Sequence, residues 1–169
     1  MENTFSRSSN VITEDVTMMR MAIALALGLS VVMAVPALAQ DTAVMRRDIK
    51  WQDAPSIGPG AKTAVIDGDP KSSGPFVMRL KLPPKTTIGV HTHPTTESVT
   101  VLSGTLYFAA GDKLNPKAAK AFGPGSYFSI GEGKPMFAYT TDNEVTLQLH
   151  GNGPWGITYL DAKDAAKKK

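Results

Sequence analysis

The sequence predicts an all-β sandwich or barrel. Three observations carry that prediction. From Gly60 onward the chain is a series of short runs rich in Val, Ile, Thr, Phe and Tyr, and Gly and Pro break these runs at intervals of roughly a dozen residues. In addition, the run after the Thr141-Asp142-Asn143 turn alternates strictly, with Val145, Leu147 and Leu149 on one face and Thr146, Gln148 and His150 on the other. In chain order, the first strand is expected at 64–66, ended by the turn Asp67-Gly68-Asp69-Pro70. Strands at 76–81 and 86–91 follow. The runs 97–103 and 105–110 are divided by the tight signal Ser103-Gly104, and Gly123-Pro124-Gly125 opens the strand 126–130. The last three are expected at 136–140, 145–151 and 156–160. Only 116–121 reads as helical. The stretch up to Pro59, with Trp51, Pro55 and Gly58, reads as an irregular arm or edge strand, and 163–169 as frayed chain or short helix.

Composition narrows the function. The chain has 169 residues with 18 Lys or Arg against 15 Asp or Glu, a net charge of only +3, and the one basic run, Lys167-Lys168-Lys169, is at the C-terminus. Scattered charge of this size is no electrostatic footprint for nucleic acid. The absence of cysteine excludes disulfides, thiolate metal sites and thiol nucleophiles. Any metal would be held by His, carboxylate or Met.

Residues 21–35, MAIALALGLSVVMAV, follow Arg20 and lead into Pro36 and the small-x-small pattern Ala37-Leu38-Ala39, the pattern of a secretory leader. A membrane anchor would need roughly 20 apolar residues. Glu2, Glu14 and Asp15 ahead of this stretch are foreign to a basic leader, and a start at Met18 or Met19 would suit it better. The expected organisation is thus a signal peptide with an upstream extension at 1–39, one β-barrel domain at 40–162, and a basic tail at 163–169. The expected location is periplasmic or secreted, with no membrane association once the leader is removed.

The chemistry concentrates in Gly89-Val90-His91-Thr92-His93-Pro94-Thr95-Thr96-Glu97, which holds two of the three histidines. In an extended segment His91, His93 and Glu97 share parity, so two imidazoles and a carboxylate can face one point. Such an N,N,O set with open positions suits Fe(II), Mn(II), Zn(II) or Ni(II). Pro94 implies an edge or a bend at this place. The plainer alternative is a pair of polar residues on a solvated strand.

The string HTHPTTESVTVLSG resembles the first signature of the cupins, in which Gly, five residues, His-x-His, three or four residues, Glu, six residues and Gly follow one another. His91, His93, Glu97 and Gly104 fit that spacing, and Lys85 stands where the first Gly is expected. The resemblance implies a double-stranded β-helix, or jelly-roll, barrel of a small secreted bacterial cupin with a divalent transition metal inside. In the second signature Gly125 and Gly133 fall into register, but Gly131 replaces Pro, Met136 replaces the usual His ligand and Thr140 replaces Asn. Met136 is a soft ligand at best and reads more simply as core packing. A hairpin closed at 141–143 would set Met136 opposite Gln148 or His150, which makes His150 a candidate fourth ligand beside His91, His93 and Glu97. Its plainer reading is a hydrogen-bonded or partly exposed histidine before the Gly151-Asn152-Gly153-Pro154 turn. Inward aromatics would complete a small-molecule pocket. The resemblance implies oxygenase, decarboxylase or isomerase chemistry on a small-molecule substrate. The alternative is a non-catalytic ligand-binding or structural cupin, and cupins are often homodimers.

Overall fold

The computed structural model of the protein describes residues 41–166. The expected leader at 1–39 lies outside the described residues. Eleven strands form two antiparallel sheets. In chain order they are β1 (Gln52–Asp53), β2 (Lys62–Gly68), β3 (Gly74–Leu82), β4 (Thr87–Thr92), β5 (Glu97–Ser103), β6 (Leu106–Ala110), β7 (Lys120–Phe122), β8 (Tyr127–Ile130), β9 (Met136–Tyr139), β10 (Val145–Gly153) and β11 (Thr158–Tyr159). One sheet has the order β1-β2-β3-β10-β5-β8 and the other β11-β4-β9-β6-β7. From β4 onward most connections change sheets, which is the winding of a jelly roll.

The inward residues are the ones period-two alternation selects. Phe76, Met78, Leu80 and Leu82 of β3, Val99 and Val101 of β5, and Val145, Leu147 and Leu149 of β10 make one buried cluster with Ile88, Leu106 and Ala138 from the other sheet. Burying each such side chain contributes about 1.5–3 kcal/mol. Gly104 lets β5 turn directly into β6: its φ is +74°, and a Cβ there would strike the Glu144 carbonyl oxygen.

Three expectations need correction. The segment 116–121 is not helical throughout; Pro116–Ala118 forms one 3-10 turn capped by Asn115, and the chain then enters β7, which pairs with β6. Residues 141–143 do not close a β9–β10 hairpin. They carry the chain from one sheet to the other, and β9 pairs with β4 and β6. Met136 is therefore the cross-strand partner of His91, not of Gln148 or His150. The arm before Pro59 does contain an edge strand, β1, and helix α1 (Ala162–Ala166) follows β11. Among the described residues no helix is long and apolar enough to cross a membrane.

Candidate metal centre

The site is built where β4 leaves one sheet and β5 enters the other. Pairing of β4 with β9 shifts register between Ile88 and His91, a bulge at Gly89-Val90 that turns both Ile88 and His91 inward. Gly89 has no room for a side chain, because Asp164 of α1 packs against it. Strand β4 stops at Thr92, ahead of Pro94, and β5 starts at Glu97. The bend puts His93 in the crossing itself, with Glu97 one step into the next sheet.

His93 ties three sheet crossings together. Its backbone carbonyl accepts from Gly133 N at 2.9 Å, and its ring Nδ1 donates to Gly156 O at 2.6 Å. His91 Nδ1 donates to Gly89 O at 2.7 Å. A carbonyl can only accept, so each ring carries a proton on Nδ1, and the neutral form of either ring has its lone pair on Nε2. Both rings are 4% exposed, and they meet edge to face at 4.9 Å between centroids. His93 Nε2 faces Glu97 Oε2 at 3.5 Å.

Burial sets the charges. It depresses the His93 pKa despite the opposing bond to Gly156, so the ring is neutral near pH 7. It pushes the Glu97 carboxyl up to about 8, with the Trp155 indole drawing it partly back. Tyr159, 5.7 Å from His91 ring to ring, is raised to about 12 by burial and by the Asp164 carboxylate, and its hydroxyl donates to Ser56 O at 3.1 Å.

Trp155, absent from the sequence expectations, covers the site. Its ring stacks on His93 at 4.9 Å and 17°. Its Nε1 is buried and close enough to the Glu97 carboxyl to act on it, yet short of a fully formed hydrogen bond. An unpaired buried donor costs roughly 1–3 kcal/mol. The signal for it in the sequence is an aromatic inside the turn Gly153-Pro154-Trp155-Gly156, whose Gly and Pro mark it as a connection and hide its role. The enclosed space is small, about 40 Å³, and mainly apolar, with Met136, Phe108 and Phe128 in its walls beside His91, His93, Glu97 and Trp155. That volume holds a few water-sized groups.

Structure and expectation part at His150. It lies exposed on the outer face of β10, its ring 6.3 Å from that of Tyr127, while Gln148 on the same face accepts from Arg79 Nε at 3.2 Å. Alternation with Leu147 and Leu149 forces both outward. His150 is thus no fourth ligand. Thr140, at the expected Asn position, instead braces the barrel floor: its Oγ1 donates to Pro83 O at 2.7 Å and accepts from Thr86 N at 2.9 Å.

The donor set of two imidazole nitrogens and one carboxyl oxygen fits a borderline divalent ion, and the paired Nδ1–carbonyl bonds are the outer contacts that orient metal-ligating histidines. His93 and Glu97 already face each other. Among the described residues, though, no three His, Cys, Asp or Glu side chains are gathered closely enough to form a metal cluster as they stand.

No protein-family model matches the sequence, and comparison with curated proteins gives no match. Solved structures do match. The polyketide cyclase RemF from Streptomyces resistomycificus is similar with a TM-score of 0.60 at 17% identity, over 75% of this chain and 91% of that one. An RmlC-like cupin from Shewanella frigidimarina gives 0.53 at 14%, over 68% and 91%. A sugar phosphate isomerase of the cupin superfamily from Silicibacter pomeroyi gives 0.53 at 18%, over 70% and 82%. At such identities the likeness shows the fold, not the reaction.

Proposed function

From the premise that this chain has the cupin fold, we propose that it binds one divalent transition ion, Fe, Mn, Zn or Ni, through His91, His93 and Glu97, and acts on a small molecule held at that ion. One observation supports this above the others: two buried imidazoles are each fixed through Nδ1 to a backbone carbonyl, one local and one 63 residues away, in a cavity that also holds a buried carboxyl. Polar groups carry a desolvation cost in an apolar barrel, and a ligand-orienting role accounts for placing three of them together.

When bound, the ion would polarise an oxygen of the substrate or serve as the site of oxygen chemistry. The chain's own residues do the rest. Gly89 and Gly156 orient the two rings. Glu97 gives up its proton to become an anionic ligand. Phe108, Phe128 and Trp155 exclude bulk water. Oxygenase, decarboxylase and isomerase chemistry all suit such a centre. A second reading, a cupin that holds its ion or a small ligand without turnover, draws support from Met136 in place of an imidazole and from the small enclosed volume. We also propose that residues 1–39 are an export leader and that the barrel works in the periplasm or outside the cell.

The test is metal content by plasma mass spectrometry of purified protein, beside His91→Ala, Glu97→Ala and His150→Ala. About one equivalent is expected in wild type and His150→Ala, lost in the other two. Wild-type protein that stays metal-free after exposure to Fe, Mn, Zn and Ni overturns the proposal. Oxygen uptake, carbon dioxide release or isomerised product from candidate substrates then separates turnover from storage.

A further inference from the structure

Trp155 does more than roof the cavity. Its indole is fixed in place twice: the ring stacks on His93, and its backbone N–H donates to Pro70 O at 2.6 Å. The adjacent Gly156 carbonyl is the group that holds His93 Nδ1. The four-residue crossing from β10 to β11 therefore carries both the anchor of the His93 ring and a buried N–H with no formed hydrogen bond. Apart from Trp155 the cavity lining is apolar except for His91, His93, whose ring nitrogen facing Glu97 offers only a lone pair, and Glu97 itself.

We propose that Trp155 is a positioning residue for Glu97: its indole N–H becomes the hydrogen-bond partner of the carboxylate once that carboxylate turns to hold a divalent ion. The inference rests on the metal-binding reading above and adds a residue to it. An indole can only donate, and a ligating carboxylate exposes a second oxygen that only accepts, so the two groups are complementary in chemistry and already lie side by side. The stack on His93 holds the indole in place while the carboxylate turns. The ion-free protein leaves the donor unpaired; the loaded protein pairs it.

Zinc and cobalt(II) are the probes. In ¹⁵N-labelled Trp51→Phe protein the single remaining indole N–H resonance is expected to move downfield on saturation with zinc, as a hydrogen bond forms. Trp155→Phe keeps an aromatic ring over His93 and removes the donor together with the rest of the indole. Its cobalt(II) affinity is expected to fall roughly 10–100-fold, in a variant that still melts cooperatively before metal is added, while Trp51→Phe binds as wild type does. An indole resonance that stays put in zinc-saturated protein, or a Trp155→Phe protein that binds cobalt(II) as tightly as wild type, overturns the role given to Trp155 and leaves the three-ligand site standing. Wild-type protein that takes up neither ion overturns both.

Discussion

Replacing Glu97 with Gln isolates what a buried carboxyl costs the empty barrel. Burial holds this group at about 8, against 4.5 for the free side chain, so ion-free folded protein keeps a proton that the unfolded chain releases. Stability is then complete below the unfolded value and is lost as pH rises toward about 8. His93 acts in the other direction: its depressed pKa penalises folding only as pH falls below 6.5. Between pH 6.5 and 8 the Glu97 contribution is therefore unopposed by His93. The slope approaches about 1.4 kcal/mol per pH unit, which over this window amounts to about 2 kcal/mol, or on the order of 5–8 °C in a domain of this size. Thermal melts followed by circular dichroism in the presence of chelator provide the assay. Wild-type Tm should fall across the window, and Glu97→Gln should stay level and end higher at pH 8. Parallel curves would refute the reasoning, because they would mean the carboxyl reaches water and never held its proton. The same proton competes with metal, so metal uptake by wild type should strengthen as pH rises through this range.

Two predictions concern the backbone that frames the site. Lys85, exposed and with φ of 58°, occupies a left-handed conformation that costs a side-chain-bearing residue roughly 1–2 kcal/mol. Lys85→Gly should raise stability by about 0.5–1 kcal/mol in urea titration, and Lys85→Ala, which keeps the strain, should leave it nearly unchanged. Gly104→Ala should cost at least about 2 kcal/mol, since positive φ and the Glu144 backbone both oppose it, whereas Gly125→Ala, with positive φ and open space around it, should cost only about 1. Equal losses at the two glycines would show that φ alone decides.

Much of this was legible in the chain. Apolar alternation along 145–149 assigned the inner face of β10 correctly, and the spacing of His91, His93, Glu97 and Gly104 led to the segment that lines the cavity. The unoccupied glycine position of the first signature even has its explanation in Lys85, whose φ marks it as a place where Gly would relax the turn. What failed was partner choice. A short turn at 141–143 reads as a hairpin, yet β9 pairs with β4 and β6 while β10 pairs with β3 and β5, and nothing local in Thr141-Asp142-Asn143 encodes that choice. His150 failed for the same reason, although alternation with Leu149 already pointed it outward. The short β7 was lost inside a helical-looking Lys-Ala stretch, because its pairing with β6 is a tertiary choice that local propensity does not carry.

The knot of hydrogen bonds at His93 also sets an order of events. Residues 93, 133 and 156 are brought together across 63 residues of chain, and contacts so distant in the chain form slowly because the intervening loops must close first. A chain that emerges amino end first presents its His-x-His segment long before Gly156 exists to orient it. An ion that needs both rings aligned can therefore be held only once the contact between His93 and Gly156 has formed.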